Sequence, residues 1–533
     1  MKNNFLLKFC LFSLFYSTFI VSSYAESFNK YAQAGMSDML QEQSFSDVDE
    51  SKVSTLHVEA LDLGFVFDNF KLTEQASRTG AVGPFYDLIN FPNGSKFWGV
   101  RPFYTYSYNS QNDRTIRNVI WPLATDKEFN DQRLMRILTY YKLDYEVSNP
   151  YSKYAASVFP LLFWGRSNVG KRYFALFPVG GRMGNFMGMS ELEFVLAPLY
   201  VRYRTNGMTS YNILWPVFNY TTGKGVKRYR FWPLYGRNIN EDVWAKHFVL
   251  WPIWTDVTYH VKGAKGYSFI LFPLYGQTRT QNQSTTWVIP PIFRFAFSEP
   301  QDLIYCPWPF FQYMKGTQNK LYFWPIWGKK ERDGIRRDFY LWPLMYRRYT
   351  QRPTMTLASF QFIPFFYYEN RLGVVRERAA NLRAEDMFEK ELDYSNYPIV
   401  KSESKSKYVK IWPVYSYRRL EENYAIRVLD LWPGRSWSAL ERNYAPFWTI
   451  YSHYKLENLT SDTLLWGLWR YRTIDDYKAA SLFPLYNQVR ETDKFKWNVL
   501  YGLVGYNREE EAKYIKFLYF IKCRFGEKKV DDV

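Results

Sequence analysis

Cysteine, histidine and long hydrophobic runs are scarce in this chain, and each scarcity removes a class of protein. Of 533 residues, three are Cys and four are His. Cys10 falls in an N-terminal apolar run, leaving Cys306 and Cys523, enough for one disulfide but not for a disulfide framework. His57, His247, His260 and His453 include no pair at i, i+4 with a glutamate, and no cysteine pair offers thiolates, so no zinc motif is present. No G-x-S-x-G elbow occurs. Past the N-terminus no segment approaches the ~20 uninterrupted apolar residues of a membrane-spanning helix, although a β-barrel could still cross a bilayer. No catalytic, metal or cofactor-binding residue is assigned.

One phosphate-binding motif comes close. "GRSNVGKR" (165–172) fits G-x-x-x-x-G-K as far as Lys171. Arg172 then stands where a magnesium-binding Ser or Thr belongs. The stretch also falls where the spacing of the chain calls for a hairpin turn, not for a strand leading into a helix. It is expected to be a turn.

What is present is basic and aromatic. Lys2 and Lys8 precede an apolar run from Phe9 to Val21, and Ser23-Tyr24-Ala25 offers a small-x-small cleavage site, so residues 1–25 read as a secretory signal peptide. The net charge is +18 and falls to +16 without the two signal lysines. Residues 26–55 carry −4 and read as a flexible acidic leader, which leaves +20 on the rest. Such a surface favours anionic partners, namely outer-membrane lipid or an anionic envelope glycan. Export argues against nucleic acid.

Aromatic residues make up 21% of the chain and are arranged in a repeat. "FWPLYGR" (231–237) returns as "LWPIWTD" (250–256), "FWPIWGK" (323–329), "LWPLMYR" (341–347) and "IWPVYSY" (411–417). The anchors of this WPLY repeat are Trp121-Pro122, Trp215-Pro216, Trp232-Pro233, Trp251-Pro252, Trp324-Pro325, Trp342-Pro343 and Trp412-Pro413. Further prolines, including Pro433 and Pro446, extend the series, mostly at spacings of 16 to 21 residues. Proline-free units are expected at 61–67, 137–145, 464–472, 498–506 and 515–522. Polar turns such as "TTGKG" (221–225) and "KGTQNK" (315–320) separate the anchors. A period this short marks a repeat architecture, and its alternation suits antiparallel strands joined by hairpins.

With one strand per unit, the array has about 20–24 strands of 12 to 14 residues, each with a proline near its middle. Positions four and two before the proline, the proline and two after it then share one apolar face, ~25–30 Å along the strand. The fold class is all-β, an up-and-down antiparallel array over 56–369 and 411–525, with a polar tail at 526–533. Residues 370–410 interrupt it with an insertion; "RERAANLRAEDMFEKEL" (376–392) is rich in helix formers and is expected to be an exposed helix, and "KSESKSK" (401–407) reads as a solvated linker.

Two architectures use this pattern. The first is a large outer-membrane β-barrel whose apolar face meets lipid. The second is a soluble creased β-sandwich or propeller-like repeat, in which aligned prolines bend the sheet. The corresponding functions are a passive pore or structural component of a bacterial envelope, and a surface-bound module for anionic glycan or lipid. A glycan-active enzyme would require a close pair of carboxylates in a cleft.

Overall fold

A computed structural model describes residues 59–525, except 72–75, 92, 111–112, 262–264, 300, 353–354, 377–398, 457, 493 and 510–511. The expected signal peptide, acidic leader and polar tail and nearly all of 376–392 lie outside the described residues. The chain forms a 46-stranded antiparallel up-and-down sheet that is not closed. Among the described residues, the first strand, Glu59–Leu63, and the last, Ile521–Phe525, each pair on one side. The all-β array shared by both expectations is therefore what forms. It divides into two units, one built from 131–353 and the other from 59–130, 354–376 and 399–525.

The strand number is about twice that expected, because the proline ends a strand instead of sitting within it. In "FWPLYGR", strand Val226–Phe231 stops before Trp232-Pro233-Leu234, and the chain returns as Tyr235–Asn240. Phe231 and Tyr235 are cross-strand partners. Among the described residues seventeen Xaa–Pro bonds are cis, including those at Pro122, Pro216, Pro233, Pro252, Pro325, Pro343 and Pro413. A cis proline third in a four-residue reversal is a type VI turn. Proline lacks a donor for the sheet ladder, and in a turn none is required. The proline belt is thus an edge of the sheet, not a crease through it.

Two turn lengths alternate irregularly. After Trp244–Val249 the loop is Leu250-Trp251-Pro252-Ile253, closed by Ile253 N donating to Leu250 O at 2.8 Å. Leu250 has φ +49°, which takes it out of the strand. The extra residue changes the faces. Across the shorter turn Tyr229, Phe231 and Tyr235 share a face, as expected. Across the longer one Val249 pairs with Trp254, so Phe248 points to the face opposite Trp254. Strands of mostly five or six residues also span only ~17–20 Å, short of the expected apolar length.

The proline-free units at 464–472 and 498–506 are the same hairpins, with Gly467 (φ +113°) and Gly502 (φ +122°) in the proline's place. "KSESKSK" is not a linker; it lies in strand Ile399–Ile411, paired with Phe366–Arg376. Pro433 and Pro446 are not strand anchors. Between strands Asn423–Val428 and Tyr451–Leu456 the chain forms two short helices, α1 (Ser438–Asn443) and α2 (Ala445–Trp448). Ala, Leu, Glu and Arg favour helix here, and Pro446 sits in the first turn of α2, where no donor is lost.

Candidate functional site

The proline turns line up along one edge of each unit and are stitched together. In the 131–353 unit, Leu250 N donates to Leu234 O and Trp251 N to Pro233 O, both at 2.7 Å. Leu341 N and Trp342 N bond Ile326 O and Pro325 O in the same way, also at 2.7 Å. The side chains of these turns remain outside: Trp215 is 57% exposed, Trp251 50%, Trp342 47% and Ile326 65%. Neighbouring indoles meet, Trp232 with Trp251 at 6.0 Å and Trp324 with Trp342 at 5.6 Å between ring centroids. The result is an apolar rim whose backbone donors are engaged. The opposite rim of the same strands carries polar turns such as Asn206-Gly207 and Asp333-Gly334.

All the expected anchors sit in turns, but not all are exposed. Trp412 is half-buried against Phe365, with ring centroids 6.1 Å apart, and its indole N donates to Leu431 O. Trp121 is 7% exposed: Trp437 meets its ring at 4.7 Å, and the Tyr444 hydroxyl donates to its carbonyl. The helical segment therefore covers this one anchor.

One row in from the rim, glycine makes room for aromatic rings. A Cβ on Gly328 would lie 2.2 Å from Phe339, and one on Gly236 would lie 2.0 Å from Phe248. The glycine of "PLYGR" and "PIWGK" is thus the floor on which the next strand's phenylalanine lies.

The unit containing the first and last described strands has a charged interior. Asp68 accepts from Arg472 at 2.9 Å, and Arg470 lies 2.6 Å from Asp62 and 3.1 Å from Asp68. Arg101 contacts Asp87 at 3.4 Å and donates to Arg442 O in α1 at 2.7 Å. Thr105 donates to Asn443, itself wholly buried, at 2.8 Å. Glu441 of α1 accepts from Arg418 at 3.0 Å, and Lys410 pairs with Asp430 at 2.9 Å. Burial alone would raise the Asp68 and Glu441 carboxyls, but Arg472 and Arg470 on one, and Arg418 and Arg427 on the other, hold both below their ordinary values. Burial pushes the Tyr477 hydroxyl up to about 12.

Asp62 and Asp68 are direct cross-strand partners beside a small cavity lined by Arg470, Arg472, Tyr477 and Ser481. They are the closest approach to the carboxylate pair that glycan hydrolysis requires. Both are engaged by arginine: Arg470 contacts Asp62 and Asp68, and Arg472 contacts Asp68.

No protein-family model matches the chain, and no curated protein matches it.

The remaining sequence candidates are structural. Strands Leu162–Arg166 and Arg172–Leu176 flank the near P-loop, which is a hairpin turn closed by Ser167 N to Lys171 O at 2.9 Å. His247 pairs with Asp256 at 3.1 Å and His453 with Asp462 at 2.7 Å, each on adjacent strands. His57 lies outside the described residues. Cys306 and Cys523 are both free and exposed. Among the described residues no three His, Cys, Asp or Glu side chains converge as a metal site.

Sequence reasoning missed that the strand carboxylates of residues 208–350 all fall on one face, while the bases occupy both, with Arg237, Lys329, Arg336 and Arg347 on the carboxylates' side. The register puts Arg228, Arg230, Lys246, Arg294, Lys320, Lys330, Arg337 and Arg348 on one face. The strand carboxylates of this stretch, Asp256, Asp302, Glu331 and Asp338, are all on the other. The signal lies in sequence only once the register is known.

Proposed function

We propose that this chain is an exported, non-catalytic β-repeat protein of a bacterial envelope that lies on a lipid surface, its proline-turn rim immersed in one leaflet. The carrying observation is the rim, where exposed Leu, Ile and Trp side chains stand on backbone many of whose donors are bonded, those of Leu250, Trp251, Ile326, Leu341 and Trp342 among them. Backbone entering hydrocarbon must satisfy its own polar groups, and Trp favours the membrane interface. Large exposed apolar patches mark interaction surfaces.

Depth supports one leaflet. Beyond the rim, the face that carries Phe231, Tyr235, Phe323 and Trp327 has one further apolar row and then a mixed one, where Tyr220, Tyr229 and Phe269 stand beside Arg237, His247, Lys329 and Asp338. Six-residue strands are also shorter than the nine to eleven tilted residues that cross a bilayer. Flotation with neutral phosphatidylcholine vesicles tests this reading. The wild-type chain is expected to float, and Trp251→Ser with Trp342→Ser to float less; a wild-type chain that stays in the aqueous fraction contradicts it.

A second reading, an outer-membrane barrel serving as a passive pore, draws on a different observation. Among the described residues, buried polar and charged side chains outnumber buried apolar ones, while many aromatic side chains are exposed. That inversion is usual where lipid is outside and a polar lumen inside. Stepwise conductance in planar bilayers would favour this reading over the peripheral one.

A further inference from the structure

We infer that copies of this chain join edge to edge, the last described strand of one copy pairing with the first described strand of the next. Among the described residues Ile521–Phe525 pairs only with Ala512–Phe517, and Glu59–Leu63 pairs only with Phe67–Lys71. Every residue of Ile521–Phe525 is exposed, and so is Leu61. An open strand edge is a template for another strand.

The two edges match in direction. Glu59–Leu63 runs into the turn 64–66, and Ile521–Phe525 leaves the turn 518–520. Both turns belong to the stitched rim: Val82 N donates to Val66 O, and Tyr519 N to Gly502 O, each at 2.9 Å. One strand therefore runs towards the rim and the other away from it. Side by side, with their rims level, they are antiparallel.

Their backbone groups match as well. Leu518 N donates to Leu503 O at 2.9 Å, and hydrogen-bonded pairs alternate along an antiparallel ladder. That alternation points Ile521 and Cys523 back at Phe517 and Ile515, and leaves the N–H and C=O of Lys522 and Arg524 on the open side. By the same alternation the bond from Val82 to Val66 leaves the backbone of Asp62 on the open side of the first strand. Within the chain, rim-end residues such as Val504 and Phe517 stand level. With Ile521 and Leu63 level in that way, Lys522 meets Asp62 of the second copy as a hydrogen-bonded pair, and Cys523 lies opposite Leu61.

Charge decides which edges meet. If two last strands paired about a two-fold axis through Cys523, Lys522 would face Arg524, and like charges directly opposite each other are destabilising. Against the first strand Lys522 faces Asp62 instead, beside its intrachain partner Arg470. On the other face Ile521 and Cys523 come next to Leu63 and Leu61. This covers apolar side chains that the single chain leaves open, Ile521 at 42% exposure and Leu61 at 52%. The contact is heterologous, so its repetition builds a ring or a filament. The rim of one copy continues into the rim of the next.

The experiment mixes two forms of the full exported chain, each with a single cysteine. One keeps Cys523; the other carries L61C and C523S, and every other cysteine is serine in both. Residues opposed at a non-hydrogen-bonded pair lie ~4.5 Å apart at Cα, within the ~4.4–6.8 Å that a disulfide spans. Mild oxidation is expected to give a disulfide-linked dimer from the mixture and little from either form alone. In a second measurement, R524P should weaken self-association in the ultracentrifuge by about tenfold, the value of a lost ladder bond. Its urea midpoint should match that of wild type, because proline is tolerated where the N–H faces an open edge. A mixture without dimer overturns the inference. Equal dimer from the Cys523 form alone also overturns it, since the contact is then between two last strands. A chain carrying both L61C and Cys523 that links to itself and stays monomeric overturns it too, because the sheet then closes within one copy.

Discussion

The same hairpin repeat treats its bases in two ways in the two units. In the unit holding the first and last described strands, Arg470 and Arg472 sit three and five residues after Gly467, which takes the proline's place, and both are matched by Asp62 and Asp68. In the 131–353 unit, Lys330 and Arg348 occupy the fifth position after Pro325 and Pro343 and meet other bases across the strands. Burying a charge without a partner costs several kcal/mol, so the first unit uses its arginines as core. The second leaves its bases exposed or half-exposed, with like charges facing each other across the strands. One repeat thus yields an ion-paired interior and a basic face, depending on where the carboxylates fall.

The most severe way to break the comparison is to remove a matched acid. Asp68→Ala leaves Arg472 and Arg470 buried without their shared carboxylate and should destabilise that unit by about 3–5 kcal/mol, measured by urea unfolding. Its pH response follows from the same pairs. The Asp68 and Glu441 carboxyls have lowered pKa values in the folded state. Their contribution is therefore full above the ordinary carboxylate range and is lost as pH falls below about 4 through the folded values. Limited proteolysis across an acid titration should release fragments of 59–130 and 399–525 before fragments of 131–353.

Packing comes next in size. Gly328→Val places a side chain where the Phe339 ring lies and should cost about 1–3 kcal/mol, while the nearby turn-tip change Ile326→Val should be nearly silent by the same unfolding assay. The smallest effect sharpens the comparison. Arg337→Glu puts a carboxylate between Lys330 and Arg348 and should stabilise by about 0.2–1 kcal/mol, seen as a small rise in urea midpoint. A fall instead would mean that the row is already neutralised within the protein.

The period, the hairpin edges and even the proline-free units at 464–472 and 498–506 were legible from residue types alone. The role of the proline was not. Aromatic and branched residues flank it on both sides and favour extended backbone, so nothing in "FWPLYGR" distinguishes a strand with a fault from two strands and a turn. The residue two before the proline was equally opaque: Phe231 stays in its strand and Leu250 leaves it, though both are large and apolar. Pro433, 20 residues after Pro413, kept to the period and helped to conceal α1 and α2, whereas Pro446, 13 residues after Pro433, was out of step with it. The base row was hidden for another reason. Lys320, Lys330, Arg337 and Arg348 are separated in sequence by Glu331, Asp333 and Asp338, so linear charge averages out, and only the pairing register shows that Glu331 and Asp338 fall on the other face.

The central claim, an apolar turn rim in one leaflet, can be tested with the chain's own thiol. Cys306 is exposed in the turn holding Pro307 and Pro309, and Thr317 lies on the opposite, polar rim of the same hairpin. A nitroxide at Cys306, with the other cysteines changed to serine, is compared with one at Thr317→Cys on vesicle-bound protein. The account predicts that oxygen dissolved in lipid broadens the Cys306 signal and an aqueous nickel chelate does not, with the reverse at position 317. Equal access of the chelate to both positions would contradict it.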